Sequence, residues 1–417
     1  MCLDGLQGFD FFIRFEFILV LISAYYLLKE ILVSNLMFKS RIPRTFQLFM
    51  VLLIVIVVIN IFRSPPSNIK GFLRFLGGKF YVAAWLPLLF FYIGSKLEYW
   101  NQILAFALKY QKFILLGLPF IVFVVAINFN GSGPLVMIPL LFPILILNRD
   151  VLDKVTNRLI TVSMIIYLIS VYLIGSRGYT LHALAYIPLL YYITVFKKSV
   201  NRKVNMLKLN AIFLVVSLGG YAIFNFEFSE SLGGVFQTNV EKFEAGNFEN
   251  SRKQYVYPDF FADMKTNNDW IFGRGLNGSY YSFIFVGHMA DLDETNSLGV
   301  KKGHRTEIES GYLFTIMKIG LLGLILKLIL AFSAIYFGLF KSNNFFVKSC
   351  ALIVFEWLIF MYPVGLPEFN LGYILFWLCI GTCLSRETRL ASSSKLFMNN
   401  LIDIRNRNNS FFNIRKF

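Results

Sequence analysis

This sequence is poor in charge, cysteine and histidine. Only 15% of its 417 residues are charged, against about a quarter in soluble domains. Its four cysteines, Cys2, Cys350, Cys379 and Cys383, contain no Cys-x-x-Cys pair. The shortage argues against a disulfide framework and against a cysteine-based metal site. We therefore expect no metal and no cofactor.

Apolar residues are abundant instead. The chain is 57% hydrophobic, with a mean hydropathy of +0.62. A membrane span needs about 20 mostly apolar residues. The sequence predicts about eleven, at 11–34, 46–62, 80–94, 113–129, 134–147, 158–175, 180–196, 209–226, 317–340, 345–363 and 371–385. The start, MCLDGLQGFD, lacks the basic region of a cleaved signal peptide, so we expect the first apolar run to remain as a helix.

The net charge of +16 indicates membrane orientation and not nucleic-acid binding. In a membrane protein, the short cytoplasmic loops carry an excess of Lys and Arg. With eleven spans, five basic segments fall on one side, which we assign to the cytoplasm. They lie near residues 39–44, 96–112, 149–158 and 197–208 and in the tail after Ser385. The N-terminus and an insert at 226–309, which carries more acidic than basic side chains, then lie outside.

The predicted fold is an all-α polytopic membrane protein with one large extracytoplasmic loop. Residues 1–225 supply spans 1–8, 226–309 the loop, 310–385 spans 9–11, and 386–417 a basic cytoplasmic tail.

One predicted outer loop departs from the charge rule. Residues 63–79 contain no acidic residue. They contain four basic residues: Arg63, Lys70, Arg74 and Lys79. A bound anion, such as a phosphate at the outer leaflet, would explain them. Snorkelling to lipid headgroups is the alternative.

Three further clusters face the predicted outer side. In the first, Arg177 lies in a tight Gly-Ser-Arg-Gly connection between two spans. Its guanidinium fork fits phosphate oxygens, although it could equally anchor a helix end. In the second, residues 254–264 have the helical spacing of a short helix lying on the membrane. There Arg252 precedes this helix and Arg274 follows it between Gly273 and Gly275, whose lack of a side chain permits unusual backbone conformations.

The third cluster runs from Gly303 to Tyr312. His304 could exchange a proton near neutral pH. Glu309 is a candidate catalytic carboxylate. It also admits a structural interpretation, because Thr306-x-x-Glu309 reads as a capping box with Thr306 as the N-cap.

Taken in this order, the three clusters resemble the O-antigen polymerase and ligase superfamily of Wzy-like and WaaL-like proteins. The matching pieces are SRG (176–178), SRKQYVYPDFFADMKTNNDWIFGRG (251–275) and HRTEIESGYLFTIMKIGLLG (304–323). The family often carries His-Asn before the re-entering helix, where this chain has His304-Arg305.

The resemblance implies metal-free glycosyl transfer at the outer face of a bacterial inner membrane. The donor would be a glycan on undecaprenyl diphosphate, and a chain-length regulator and a flippase would be partners. Arg177 and Arg252 would bind the diphosphate, with Arg274 as a weaker candidate. His304 would orient or deprotonate the acceptor hydroxyl.

Other functions remain open at this stage. A polymerase and a ligase that moves polymer onto lipid A-core use the same parts, because they differ only in the acceptor. A lipid-linked oligosaccharide flippase should show internal repeats and no large outer loop, and this sequence shows the opposite. We therefore favour a polymerase.

Overall fold

The computed structural model describes residues 41–64, 76–97, 99–100, 256–266, 269–282, 304–308, 310–342, 344–361 and 371–391, together with Tyr25, Arg158 and Val162. These ranges are mostly helical. In chain order they contain α1 (Arg44–Arg63), a π-helical segment (Leu76–Trp85), α2 (Leu86–Gly94), α3 (Tyr257–Thr266), β1 (Tyr280–Tyr281), β2 (His304–Arg305), α4 (Gly311–Phe340), α5 (Phe345–Phe360), α6 (Leu371–Leu384) and α7 (Arg386–Leu390).

Two of the described helices, α1 and α4, are long and apolar enough to cross a membrane. At 1.5 Å per residue, α1 spans about 30 Å, which matches the hydrocarbon core of a bilayer. One face of α1 is apolar and exposed at every helical turn, through Leu48, Leu52, Val55, Ile59 and Phe62. Soluble proteins rarely expose a continuous apolar surface of this length to water. Its exposure here favours contact with lipid.

Five of the eleven predicted spans fall in the described ranges, and each is helical there. The predictions at 46–62, 80–94, 317–340, 345–363 and 371–385 correspond to α1, the π-helical segment with α2, α4, α5 and α6. The other six predicted spans lie outside the described residues, apart from Tyr25, Arg158 and Val162.

Helix α4 is broken at Gly320, where φ is 74° and ψ is 177°. An unbroken helix would pair the amide of Leu321 with the carbonyl of Met317. Here the Leu321 amide donates to Trp270 O at 2.7 Å, and Met317 O accepts from the Arg274 amide at 2.7 Å. The loop after α3 thus satisfies the backbone groups that the break exposes, and the continuous apolar helix begins at residue 321.

The described residues divide between two compact units. The first holds α1, α3, both strands and α4 as far as Ala331. Its apolar core joins the insert to α4, because Phe260 and Met264 of α3 pack with Tyr280, Ile316 and Met317.

The second unit contains α5, α6 and α7. Trp357 of α5 packs against Tyr373 and Phe376 of α6, with ring centroids 6.2 and 6.1 Å apart. Asn344 caps α5 by accepting from the Phe346 amide at 2.9 Å, and its side-chain nitrogen donates to Ala391 O at 3.2 Å. The first residues of the predicted tail therefore form a helix that is bound to the turn before α5.

Arg389, in α7, lies over the ring of Phe337, with 4.7 Å between the guanidinium carbon and the ring centroid. Burial lowers the pKa of this guanidinium, which stays charged at neutral pH.

Candidate functional site

The candidate site is built on the loop that follows α3. The helix itself forms as predicted, at Tyr257–Thr266 instead of 254–264, and buries Phe260 and Met264. The chain then turns at Gly273 and Gly275, whose φ angles are 73° and 91°. A Cβ on Gly273 would lie 2.6 Å from the nitrogen of Gly320. A Cβ on Gly275 would meet the C-terminal end of α1 instead, at 2.7 Å from Asn60 O. The predicted need for glycine at these positions is thus confirmed, because the loop closely approaches the break in α4 at Gly273 and the end of α1 at Gly275.

Arg274 is the centre of this loop. Its Nε donates to Asp269 at 2.9 Å, and its Nη1 donates to the Asp263 carboxylate and to Ser279 O. Nη2 donates to Asp263 O at 2.8 Å. Every nitrogen of the guanidinium is engaged, so Arg274 organises the loop. Its predicted role in binding a diphosphate stays a prediction.

Arg63 connects the C-terminal end of α1 to the same loop. Its Nη2 lies 2.9 Å from Asp269 Oδ1, while the other oxygen of Asp269 accepts from Arg274. Asn277 also contacts the end of α1, because its backbone amide donates to Ser64 Oγ at 3.0 Å. An acidic partner from the insert therefore explains one of the basic residues that break the charge rule.

His304 reaches this cluster through a short antiparallel ladder. His304 pairs with Tyr281, and Arg305 pairs with Tyr280. His304 Nδ1 lies 3.4 Å from Ser279 Oγ, and its ring meets the Tyr281 ring edge-on at 5.7 Å. Ser279 thus contacts both Arg274 and His304, which are 30 positions apart in sequence.

Lys318, from the segment of α4 before the break, fixes the neighbouring turn. Its Nζ donates to Gly278 O at 2.7 Å and lies 5.2 Å from the Phe314 ring centroid. The buried Lys318 thus places a positive charge beside the carbonyl of Gly278, which precedes Ser279 in the chain.

An open cleft of about 370 Å³ lies between these groups, lined by Arg63, Asp269, Arg274, Gly278 and Ser279. The two arginines face the carboxylates of Asp263 and Asp269, so these four charges balance. Its walls present both hydrogen-bond donors and acceptors, which suits a ligand carrying hydroxyl groups.

The structure places the other predicted site residues as follows. Lys79 lies in the π-helical segment. Arg74, Arg177, Arg252 and Glu309 lie outside the described residues. Among the residues that are described, no group of three or more His, Cys, Asp or Glu side chains could hold a metal ion.

The predicted capping box is wrong. Helix α4 begins at Gly311, so Thr306 is not its N-cap. His304 and Arg305 instead pair with β1, and the described residues between them and α4 are not helical.

Sequence reasoning missed four polar contributors to the site: Arg63 as an ion-pair partner, Asp263, Asp269 and Ser279. The sequence contains a hint for Arg63, because its own loop offers no acidic partner and a partner from elsewhere is therefore expected. It contains no hint for Ser279, because the contacts of Ser279 depend on how the two strands pair.

Comparison with protein-family models, with curated proteins and with solved structures finds no match to this chain.

Proposed function

We propose that this chain is a polytopic glycosyltransferase of the bacterial inner membrane, with about eleven spans, its N-terminus outside and its C-terminus in the cytoplasm. It would be a polymerase that joins oligosaccharide repeat units carried on undecaprenyl diphosphate into O-antigen or a related surface polysaccharide. The motif resemblance motivates this proposal.

The observation that carries the proposal is the contact of Arg274 and His304 with one residue, Ser279. Two of the three motif clusters thereby contact one residue that lines a polar cleft, and Arg63, at the C-terminal end of the apolar helix α1, lines the same cleft. A lipid-linked donor requires such a place, because its reacting sugar sits at the membrane surface.

The proposed reaction needs little beyond positioning and charge stabilisation. The acceptor hydroxyl oxygen bonds to the anomeric carbon of the donor, and the bond from that carbon to the diphosphate oxygen breaks. The hydroxyl proton passes to His304. The electron pair leaves with the lipid diphosphate, whose charge Arg177 and Arg252 would stabilise, assisted by Arg74 and Lys79.

Glu309 would act in the same acid–base step as His304. It is five residues from the histidine in the sequence.

The test uses a strain that lacks the gene, with surface glycan separated on a gel. Collapse of the ladder to core plus one repeat unit supports the polymerase. Loss of all glycan from the core, with polymer still on the lipid carrier, would identify the ligase alternative. Single repeats trapped on the cytoplasmic side would point to a flippase and would overturn the catalytic roles.

Complementation with variants then tests the residues. Arg177→Ala, Arg252→Ala and His304→Ala should each restore protein but no ladder. Glu307→Gln is the matched control, because Glu307 is exposed in the same segment as His304. If any of these three alanine variants gives a normal ladder at a normal protein level, the role assigned to that residue is refuted.

A further inference from the structure

An exposed apolar surface lies beside the break in α4. Phe261 of α3 and Ile271 and Phe272 of the following loop are 45%, 55% and 46% exposed. Trp270 stacks on Phe261, with ring centroids 5.6 Å apart and an interplanar angle of 16°. We name Phe261, Ile271 and Phe272 the outer apolar patch.

The position of this patch relative to α4 is fixed by main-chain hydrogen bonds. Leu321 N donates to Trp270 O at 2.7 Å, and Leu322 N donates to Ile271 O at 3.2 Å. The patch therefore adjoins the first turn of the long apolar helix that begins after Gly320.

That first turn exposes apolar side chains of its own. Leu321, Leu322 and Ile325 are all exposed, whereas Leu324 and Leu326 are buried. The patch continues the exposed side of α4 beyond the end of the helix. Because α4 is a candidate membrane span, the exposed side faces lipid, and the patch extends the lipid-facing surface outward.

The chemistry of the patch fits the boundary between acyl chains and headgroups. Helices that lie in the membrane interface bury Phe, Trp and Leu side chains at that depth. Lys265 follows Phe261 by four residues, on the same side of α3, and is also exposed. Its ammonium can reach headgroup phosphates while Phe261 stays among the acyl chains.

We infer that the outer apolar patch is embedded in the outer leaflet of the bilayer and anchors the insert to lipid. The occupant of the surface is the acyl region of membrane phospholipids. This anchoring holds the cleft at the level of the headgroups. It does not depend on the proposed reaction, so it can be tested without any assay of activity.

The experiment places an environment-sensitive fluorophore on single cysteines in the full-length protein. Cys2 is replaced by serine, and the remaining native cysteines, Cys350, Cys379 and Cys383, are buried. The label is attached at Phe272→Cys, at Ile271→Cys as a second site, and at Glu307→Cys as a control that is exposed in the same insert but outside the patch. Each protein is reconstituted in phosphatidylcholine vesicles.

Two quenchers then report the surroundings of each label: a nitroxide on the upper acyl chain of the lipid, and a water-soluble nickel chelate. We expect the lipid quencher to act severalfold more strongly on the labels at 271 and 272 than on the label at 307, and the nickel chelate to show the reverse order. Equal quenching of all three labels by the nickel chelate would overturn the inference. Protection of 271 and 272 from both quenchers would also overturn it, and would indicate that a protein partner or a second copy covers the patch.

Discussion

The carbonyl of Trp270 accepts a hydrogen bond from the amide of Leu321 at a distance of 2.7 Å, and this contact joins the polar insert to the long apolar helix α4. A helix broken in an apolar environment leaves amides and carbonyls that water cannot satisfy, at a cost of several kcal/mol each. Here the loop 270–274 supplies the missing partners. We therefore expect the break and the loop to depend on each other for stability.

The substitution Gly320→Ala should disrupt the hydrogen bonds between the loop 270–274 and the break in α4. A Cβ at residue 320 would collide with the carbonyl oxygen of Ile271, and the positive φ is unfavourable for any other residue. The strain alone costs about 1–3 kcal/mol, so we expect a clear fall in the melting temperature of the purified protein.

Gly323→Ala is the control for this change. Its Cβ would lie 2.6 Å from Ile319 Cγ1 and Cδ1, so this one side chain must shift, but residue 323 keeps a helical backbone, in which alanine is favoured. We expect a smaller fall in melting temperature than in Gly320→Ala. A similar loss of stability in both variants would mean that the break does not depend on the loop.

Arg274→Met should destabilise the protein far more than Arg63→Met. Both substitutions remove a partner of Asp269, but the side chain of Arg274 is 10% exposed whereas that of Arg63 is 36% exposed. Breaking a buried ion pair costs about 3–5 kcal/mol, and an exposed pair contributes about 0.2–1 kcal/mol. Denaturant unfolding of the two variants measures the difference.

Arg274→Lys distinguishes loop organisation from ligand binding at this residue. Lysine keeps the charge but cannot reproduce the fork that joins Asp263, Asp269 and Ser279. Loss of stability is expected, with loss of polymer only in proportion to the protein lost. Full stability with no polymer would instead assign Arg274 to the substrate.

The sequence predicted the helices well and the site only in pieces. Periodicity and composition located α1, α3 and the later spans, because an apolar run of this length has few other outcomes in a bilayer. Glycine pairs pointed correctly to the turn at Gly273 and Gly275. The break at Gly320 was not predicted, because glycine is common in membrane helices and nothing local distinguishes this one.

The capping-box error has a related cause. The pattern Thr306-x-x-Glu309 is local and contains no information about the strand Tyr280–Tyr281. That strand pairs with His304 and Arg305, and α4 begins only at Gly311. Contacts such as Asp269 with Arg63, 206 positions apart, lie beyond the reach of any local pattern.

Ser279→Ala should reduce the rate of polymer formation only modestly, whereas His304→Ala should nearly abolish it. The contact from Ser279 Oγ to His304 Nδ1 is long, at 3.4 Å, so it orients the ring weakly. Removing a general base typically costs about 10²–10⁴ in rate. The assay follows polymer length with time on purified lipid-linked repeat units. An equal loss in both variants would make Ser279 a direct participant instead of a positioning residue.

The two ends of α4 should be reached from opposite sides of the membrane. Glu307 precedes α4 and Lys341 follows it, and both are exposed. In a Cys2→Ser background, a membrane-impermeant maleimide added to intact spheroplasts should label Glu307→Cys at once. It should label Lys341→Cys only after permeabilisation. The expectation follows from the basic segments, which place the insert outside, and from the apolar length of residues 321–340, which is enough for one crossing. The reverse pattern would put His304, Ser279 and Arg274 in the cytoplasm, and glycosyl transfer at the outer face would then be impossible at this site.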